Sequence, residues 1–245
     1  MRSGNHRDAV TQRYPEDSLQ FYCSPWWGRA QDEQIRRGRL LWAFVPHVDQ
    51  HPHVLIPEGR SEPTEHGSAN YRFEPLRGST LPAEAKLPVA GLPGYPGEVR
   101  LVLRAKRRPV LVLSTGGVDV PKALRVGGAR YQTNPTLIAA PYYGADQGGS
   151  SGGWKPEFVT RIRRCEYPQY MWDSLPLSGR EESILRLDHM QPIGRHGESY
   201  ELTDFVLHED ALALVDEYLA WFLMGGFPVD SLLNEIRSTL LGVDG

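Results

Sequence analysis

Arginine dominates the residues that could do chemistry in this chain. Arg100, Arg104, Lys106, Arg107 and Arg108 stand close before Pro109-Val-Leu-Val-Leu113, an apolar run short enough to be one buried strand. Pro109 fixes φ and lacks a ladder donor, which suits the first residue of a strand. Arg108 is thereby set at the mouth of a stiff strand, where its planar fork can meet two phosphate oxygens at once. The alternative is a basic hairpin whose charges face water. A second basic group, Arg161, Arg163 and Arg164, follows Trp154 and Lys155. Together with Arg104, Lys106 and Arg107 it could line a basic groove with an aromatic platform, the usual recipe for single-stranded RNA. The alternative is ordinary surface pairing of these arginines with Glu157, Glu166 or Asp173. His47, Asp49, His51 and His53, with His66 nearby, could hold zinc on one face of an extended segment. Pro52 interrupts that segment and the known zinc spacings are not matched, so a solvated His-rich loop is the favoured reading. No metal and no other cofactor is expected. A Walker A loop, a dinucleotide fingerprint and a Gly-x-Ser-x-Gly elbow are all missing from the sequence.

Several elements must position these groups. Leu40-Leu-Trp-Ala-Phe-Val45 reads as a strand closed by Pro46, and prolines then recur as far as Pro96, so a continuous helix over 46–98 is hard to place. Val99–Leu103, Val110–Leu113 and Thr136–Ala140 read as strands, and glycine fills half of the loop 144–153. Phe158, Thr160 and Ile162 alternate with Val159, Arg161 and Arg163 as a half-buried strand would, and Ser183–Asp188 is a further strand. Glu209–Met224 is a helix, with Ala211, Leu214 or Val215, Tyr218 and Phe222 on one face and Gly225-Gly226 as its stop. Pro228 is expected to open a second helix, whose Val229, Leu232, Leu233, Ile236 and Leu240 form a stripe for the core or for a dimer contact. Residues 1–34 read as an extension anchored by Trp26 and Trp27.

Bulk properties narrow the class. At 245 residues the chain can hold one decorated domain or two small ones. A formal net charge of −3 creates no global basic field, so a polyanion must be met by a local patch. Cys23 and Cys165 are the only cysteines, too few for a disulfide framework. The first residues carry no apolar h-region, and Tyr218–Phe227 is too short to cross a bilayer. A soluble, cytoplasmic protein without a membrane partner is expected.

Gly38-Arg-Leu-Leu-Trp42, Arg108-Pro-Val-Leu-Val-Leu-Ser114 and Leu137-Ile-Ala-Ala-Pro141, in that order, resemble the opening of the MazF/PemK family of toxin endoribonucleases. Glu182–Ile193 is similar to the family's late strand pair and Leu202–Leu223 to its closing helix, so the resemblance covers about half of the chain. It implies an α+β fold, a small SH3-like antiparallel β-barrel with C-terminal helices; the family joins its first two strands by a much shorter loop, and the long Pro-rich insertion is where this chain departs from it. The corresponding domains are an N-terminal extension over 1–34 and a barrel over 35–245, with the insertion at about 46–98 and the helices at about 208–241. The implied activity is metal-independent RNA cleavage, in which the 2′-hydroxyl attacks the adjacent phosphorus. Arg108 aligns with the family's catalytic arginine. The family's Ser or Thr, two residues past the proline of the third strand, is Tyr143 here, and Leu103 takes the place of its acidic residue. Implied partners are RNA or another nucleic acid, an antitoxin or regulatory protein, and a second copy in a homodimer. The rival reading is a barrel that binds nucleic acid or a regulatory protein without cleaving, and Tyr143 is the residue that separates the two.

Overall fold

A computed structural model describes residues 10, 12–62, 64–65, 68–78, 97–127, 136–145, 153–177 and 182–242. The chain divides into two compact units, Met1–Ala43 with Arg107–Gly245, and Phe44–Lys106. In chain order the strands are β1 (Trp27–Arg29), β2 (Arg39–Pro46), β3 (His53–Gly59), β4 (Asn70–Pro75), β5 (Leu101–Val102), β6 (Ala105–Ser114), β7 (Leu137–Gly144), β8 (Tyr170–Asp173), β9 (Ser183–Arg186), β10 (Gln191–Ile193) and β11 (Tyr200–Leu207). The helices are α1 (Pro156–Arg163), α2 (Glu209–Met224) and α3 (Leu232–Leu241). The fold is α+β.

The larger unit is built on an antiparallel sheet that curls into a half-barrel, in the order β1-β11-β2-β6-β7-β9-β8, with β10 also paired to β7. Its centre follows directly from composition. Pro109–Leu113 of β6 is buried throughout, as expected for a strand covered on both faces. Strand β7 is buried from Ala139 to Tyr142. Leu111, Leu113, Ala140, Tyr142 and Leu185 from the sheet share one core with Trp26 and Trp27 and with Ala211, Leu214, Val215, Tyr218, Leu233 and Ile236 of α2 and α3. The two tryptophans of the N-terminal segment are therefore core residues. Their indole N–H groups donate to the carboxyl of the fully buried Asp173, at 3.3 Å from Trp26 and 3.4 Å from Trp27, and the Tyr142 hydroxyl adds a third bond of 3.1 Å.

The smaller unit is a three-stranded sheet, β4-β3-β5, entirely antiparallel. His51 Nε2 lies 2.6 Å from the Leu76 carbonyl. Among the described residues no three His, Cys, Asp or Glu side chains come together as a metal group, and His66 lies outside the described residues.

Several local readings change. Strand β6 begins at Ala105, so Pro109 lies inside it and not at its first residue, and Arg108 stands within the strand and not at its mouth. The strand read over Val99–Leu103 is confined to Leu101–Val102. Residues 156–163 are helix α1 and not a strand: Pro156 sits in its first turn and Val159 and Ile162 point inward at helical spacing. Strand β9 ends at Arg186, two residues early, and Leu187–His189 forms a 3₁₀ turn. Helix α3 starts at Leu232 and not at Pro228; the Ser231 hydroxyl accepts from the Asn234 N–H and serves as its N-cap. Val229 consequently lies outside the helix and is 92% exposed, while Leu233 and Ile236 enter the core. No described helix is long and apolar enough to cross a membrane.

Candidate functional site

Strand register builds the site. Strands β6 and β7 pair with Val110 opposite Pro141, and the same antiparallel count carried two residues further sets Arg108 opposite Tyr143. The Arg108 guanidinium lies over the Tyr143 ring at 3.8 Å from its centroid, a cation–π contact. On the other edge of β7, Tyr143 pairs with Ile184 of β9. The chain leaves β9 at Arg186 and turns, and the turn carries Asp188 and His189 back to the same ring. His189 Nδ1 lies 2.9 Å from the Tyr143 hydroxyl, with the two rings edge to face.

Arg186 holds this turn. Its Nε donates to Asp188 Oδ1 at 2.7 Å, and one Nη donates to Asp188 Oδ2 at 2.6 Å and to His189 Nε2 at 2.7 Å. The guanidinium sits over three rings, Tyr170 at 4.9 Å, Tyr143 at 5.5 Å and Trp154 at 5.7 Å. Burial opposes its charge, but the bond and the charge of Asp188 outweigh that, with Tyr170 and Tyr143 adding to them, and its pKa is raised. Arg186 is a permanent cation held by rings on its faces and by a carboxylate along one edge.

Neither a protein-family model nor a curated protein matches the chain.

Its chemistry has to be read from the side chains themselves. A guanidinium carries five N–H donors around its rim, so Arg108 can keep its ring contact while donating to an anion. Beside it stand a phenol and an imidazole in mutual hydrogen bond, a pair able to move a proton. Of the residues singled out in the sequence, Arg108 and Tyr143 are brought together, and Trp154 joins them through Arg186. The others are not gathered at this pair. Arg107, one residue from Arg108 and so on the opposite face of β6, stacks on Trp42 at 4.4 Å and pairs with Glu201. On α1, Arg161 pairs with Glu166 at 2.6 Å and Arg163 with Asp17 at 2.8 Å and Glu182 at 3.4 Å, and Arg164, just past the helix, lies 3.8 Å from Asp17. Lys155 is exposed at the start of α1, and Arg104 and Lys106 are exposed in the smaller unit. Of the three carboxylates proposed as arginine partners, only Glu166 serves; Asp173 is taken by indoles and a phenol.

Arg186, Asp188 and His189 are the site residues that sequence reasoning passed over. Their signal was present: Arg-Leu-Asp-His places three polar, chemically capable residues directly after the buried run Ser183–Leu185. Read as strand through Asp188, they scatter over two faces; the 3₁₀ turn is what gathers them.

Proposed function

We propose that this protein is an RNA-cleaving enzyme of the MazF/PemK type, built on an SH3-like barrel and acting without a metal at the Arg108–Tyr143 pair. The observation that carries the reading is the apposition of the Arg108 guanidinium and the Tyr143 ring, with His189 on the phenol oxygen. The 2′-hydroxyl attacks the adjacent phosphorus, the O2′–P bond forms, the P–O5′ bond breaks and a 2′,3′-cyclic phosphate remains. Arg108 supplies the cation beside the charge that develops on the phosphoryl oxygens. The phenol of Tyr143 takes the place of the family's smaller hydroxyl and reaches further out from the sheet.

The test is incubation of the purified protein with a mixed RNA in the presence of EDTA. Cleavage is expected, with cyclic phosphate on the upstream product. Arg108→Ala should reduce the rate by about 10²–10³-fold, the range for loss of one preorganised donor at a developing oxyanion.

A second reading has its own observation. The ring of Tyr143 lies 3.8 Å from the Arg108 guanidinium and occupies space beside the cation that a compact Ser or Thr would leave open. In that reading the site binds RNA or a regulatory partner and does not cleave. RNA bound and left intact by the wild type, with cleavage gained on Tyr143→Thr, would select it.

A further inference from the structure

We infer that His189 is a positioning residue, locked by Arg186 as an Nδ1–H donor to the Tyr143 oxygen, so that the Tyr143 hydroxyl is not spent as a donor to the ring and its proton is the one passed to a bound phosphodiester. The inference rests on the RNA-cleavage reading for its substrate, and on the hydrogen bonds alone for the lock. An arginine guanidinium can donate but cannot accept. Its 2.7 Å contact with His189 Nε2 therefore makes that nitrogen a bare acceptor. An imidazolium would turn a second N–H toward a permanent cation, so the ring is neutral and carries its one proton on Nδ1. That proton points to the Tyr143 oxygen 2.9 Å away. The phenol oxygen thus accepts from His189, and its own proton is not directed at the ring.

The lock is rigid because Arg186 is. Two parallel bonds to Asp188, three surrounding rings and a side chain only 14% exposed leave its Nη one place to be. In the reaction, the P–O5′ electron pair goes to the departing 5′-oxygen, which takes the phenol proton of Tyr143. The 2′-hydroxyl proton passes to water. The phenolate left behind is met by the Nδ1–H of His189 on its oxygen and by the Arg108 cation over its ring, and water reprotonates it once the product has left. Tyr143 is the catalytic acid; His189, Arg186 and Asp188 act through it.

Two measurements on the full chain decide this. The first is the ring-nitrogen spectrum of 15N-histidine-labelled protein above the ordinary histidine pKa range, with His189 assigned from His189→Gln. Nδ1 should be protonated and Nε2 bare in the wild type, and Arg186→Met should shift the ring toward the Nε2–H form. A wild-type ring protonated on Nε2 overturns the inference whatever the protein does to RNA; if His189→Gln does not fold, the wild-type signal is assigned instead from through-bond correlations to the His189 backbone. The second is cleavage of RNA with sulfur in place of the bridging 5′-oxygen, whose thiolate leaves without a proton. Tyr143→Phe should lose roughly 10²-fold or more on ordinary RNA, and His189→Ala should lose less. Both should approach the wild-type rate on the sulfur-linked RNA. Equal losses on both substrates would overturn the acid role and leave only a structural one. A wild type that cleaves neither substrate removes the enzymatic reading and the acid role with it, while the histidine spectrum still decides the lock.

Discussion

At Asp173 a carboxyl is fully buried among donors that carry no charge: the indoles of Trp26 and Trp27, the phenol of Tyr142 and the backbone N–H of Ser174. Burial raises its pKa to about 7, although the bonds from Trp27, Tyr142 and Trp26 pull the other way. The unfolded chain titrates near 3.9. The folded state therefore holds the proton more tightly, and the stability it gains is present below about pH 4, lost as pH rises toward 7, and level beyond. With about 1.36 kcal/mol per pKa unit, the loss is on the order of 4 kcal/mol. Asp173→Asn keeps the shape and removes the titration. Denaturant midpoints should show the wild type falling relative to Asp173→Asn between pH 4 and 7; parallel curves would mean the carboxyl is solvated. At Arg108 the prediction concerns geometry. Arg108→Lys keeps the charge but loses the planar fork, so in the cleavage assay it should recover little of what Arg108→Ala loses. Full activity in the lysine variant would reduce Arg108 to a point charge.

At the scale of elements, α2 and α3 close the core. Ala211, Leu214, Val215, Tyr218, Leu233 and Ile236 are all buried. Each large apolar side chain among them is worth roughly 1.5–3 kcal/mol, against roughly 5–15 kcal/mol for a whole domain. Truncation after His208 should therefore leave no cooperative thermal melt. A milder probe is Tyr218→Phe. The Tyr218 hydroxyl bonds the carbonyls of Tyr167 at 3.2 Å and Tyr170 at 2.9 Å, and its loss should cost about 1–3 kcal/mol of unfolding free energy. These helices were legible in sequence because Glu209–Met224 carries a clear helical face and ends at Gly225, which is left-handed at φ 76°. The buried half of β6 was legible as an apolar run, Val110–Leu113, but its start was not: the proline suggested a strand opening at Pro109, and β6 begins at Ala105. Helix α1 was misread because Phe158, Thr160 and Ile162 happen to alternate; Phe158 with Ile162, four apart, was the helical signal in the same letters. The pairing of Arg108 with Tyr143 came from aligning two motifs and agrees with the β6–β7 register. The His189 turn was hidden because strand periodicity puts Arg186 and Asp188 on one face and His189 on the other; only the 3₁₀ turn brings all three together.

At the scale of the whole molecule, the division at Phe44–Lys106 asks what each unit contributes to stability. Strands β2 and β6, which lead into and out of the smaller unit, are neighbours in the larger sheet. Where the chain departs and returns, the His47 N–H donates to the Arg104 carbonyl at 2.8 Å. Two neighbouring strands whose ends already meet can be joined by a two-residue turn, and each halving of a loop recovers about 0.6 kcal/mol of closure entropy. The core shared by the sheet, the tryptophans and the C-terminal helices draws nothing from Phe44–Lys106 among its described members. In the smaller unit, Val45, Val54 and Ile56 are the buried apolar side chains among the described residues, and β4 and β5 are largely exposed. So few buried groups cannot offset the ordering of the backbone. Replacing 48–103 by Asn-Gly should leave a protein with a single cooperative melt near the wild-type temperature, while the isolated peptide 44–106 should show none. Collapse of the shortened protein would mean that the larger unit depends on the smaller one. A cooperative melt of the peptide would mean that three strands with a slender core are enough.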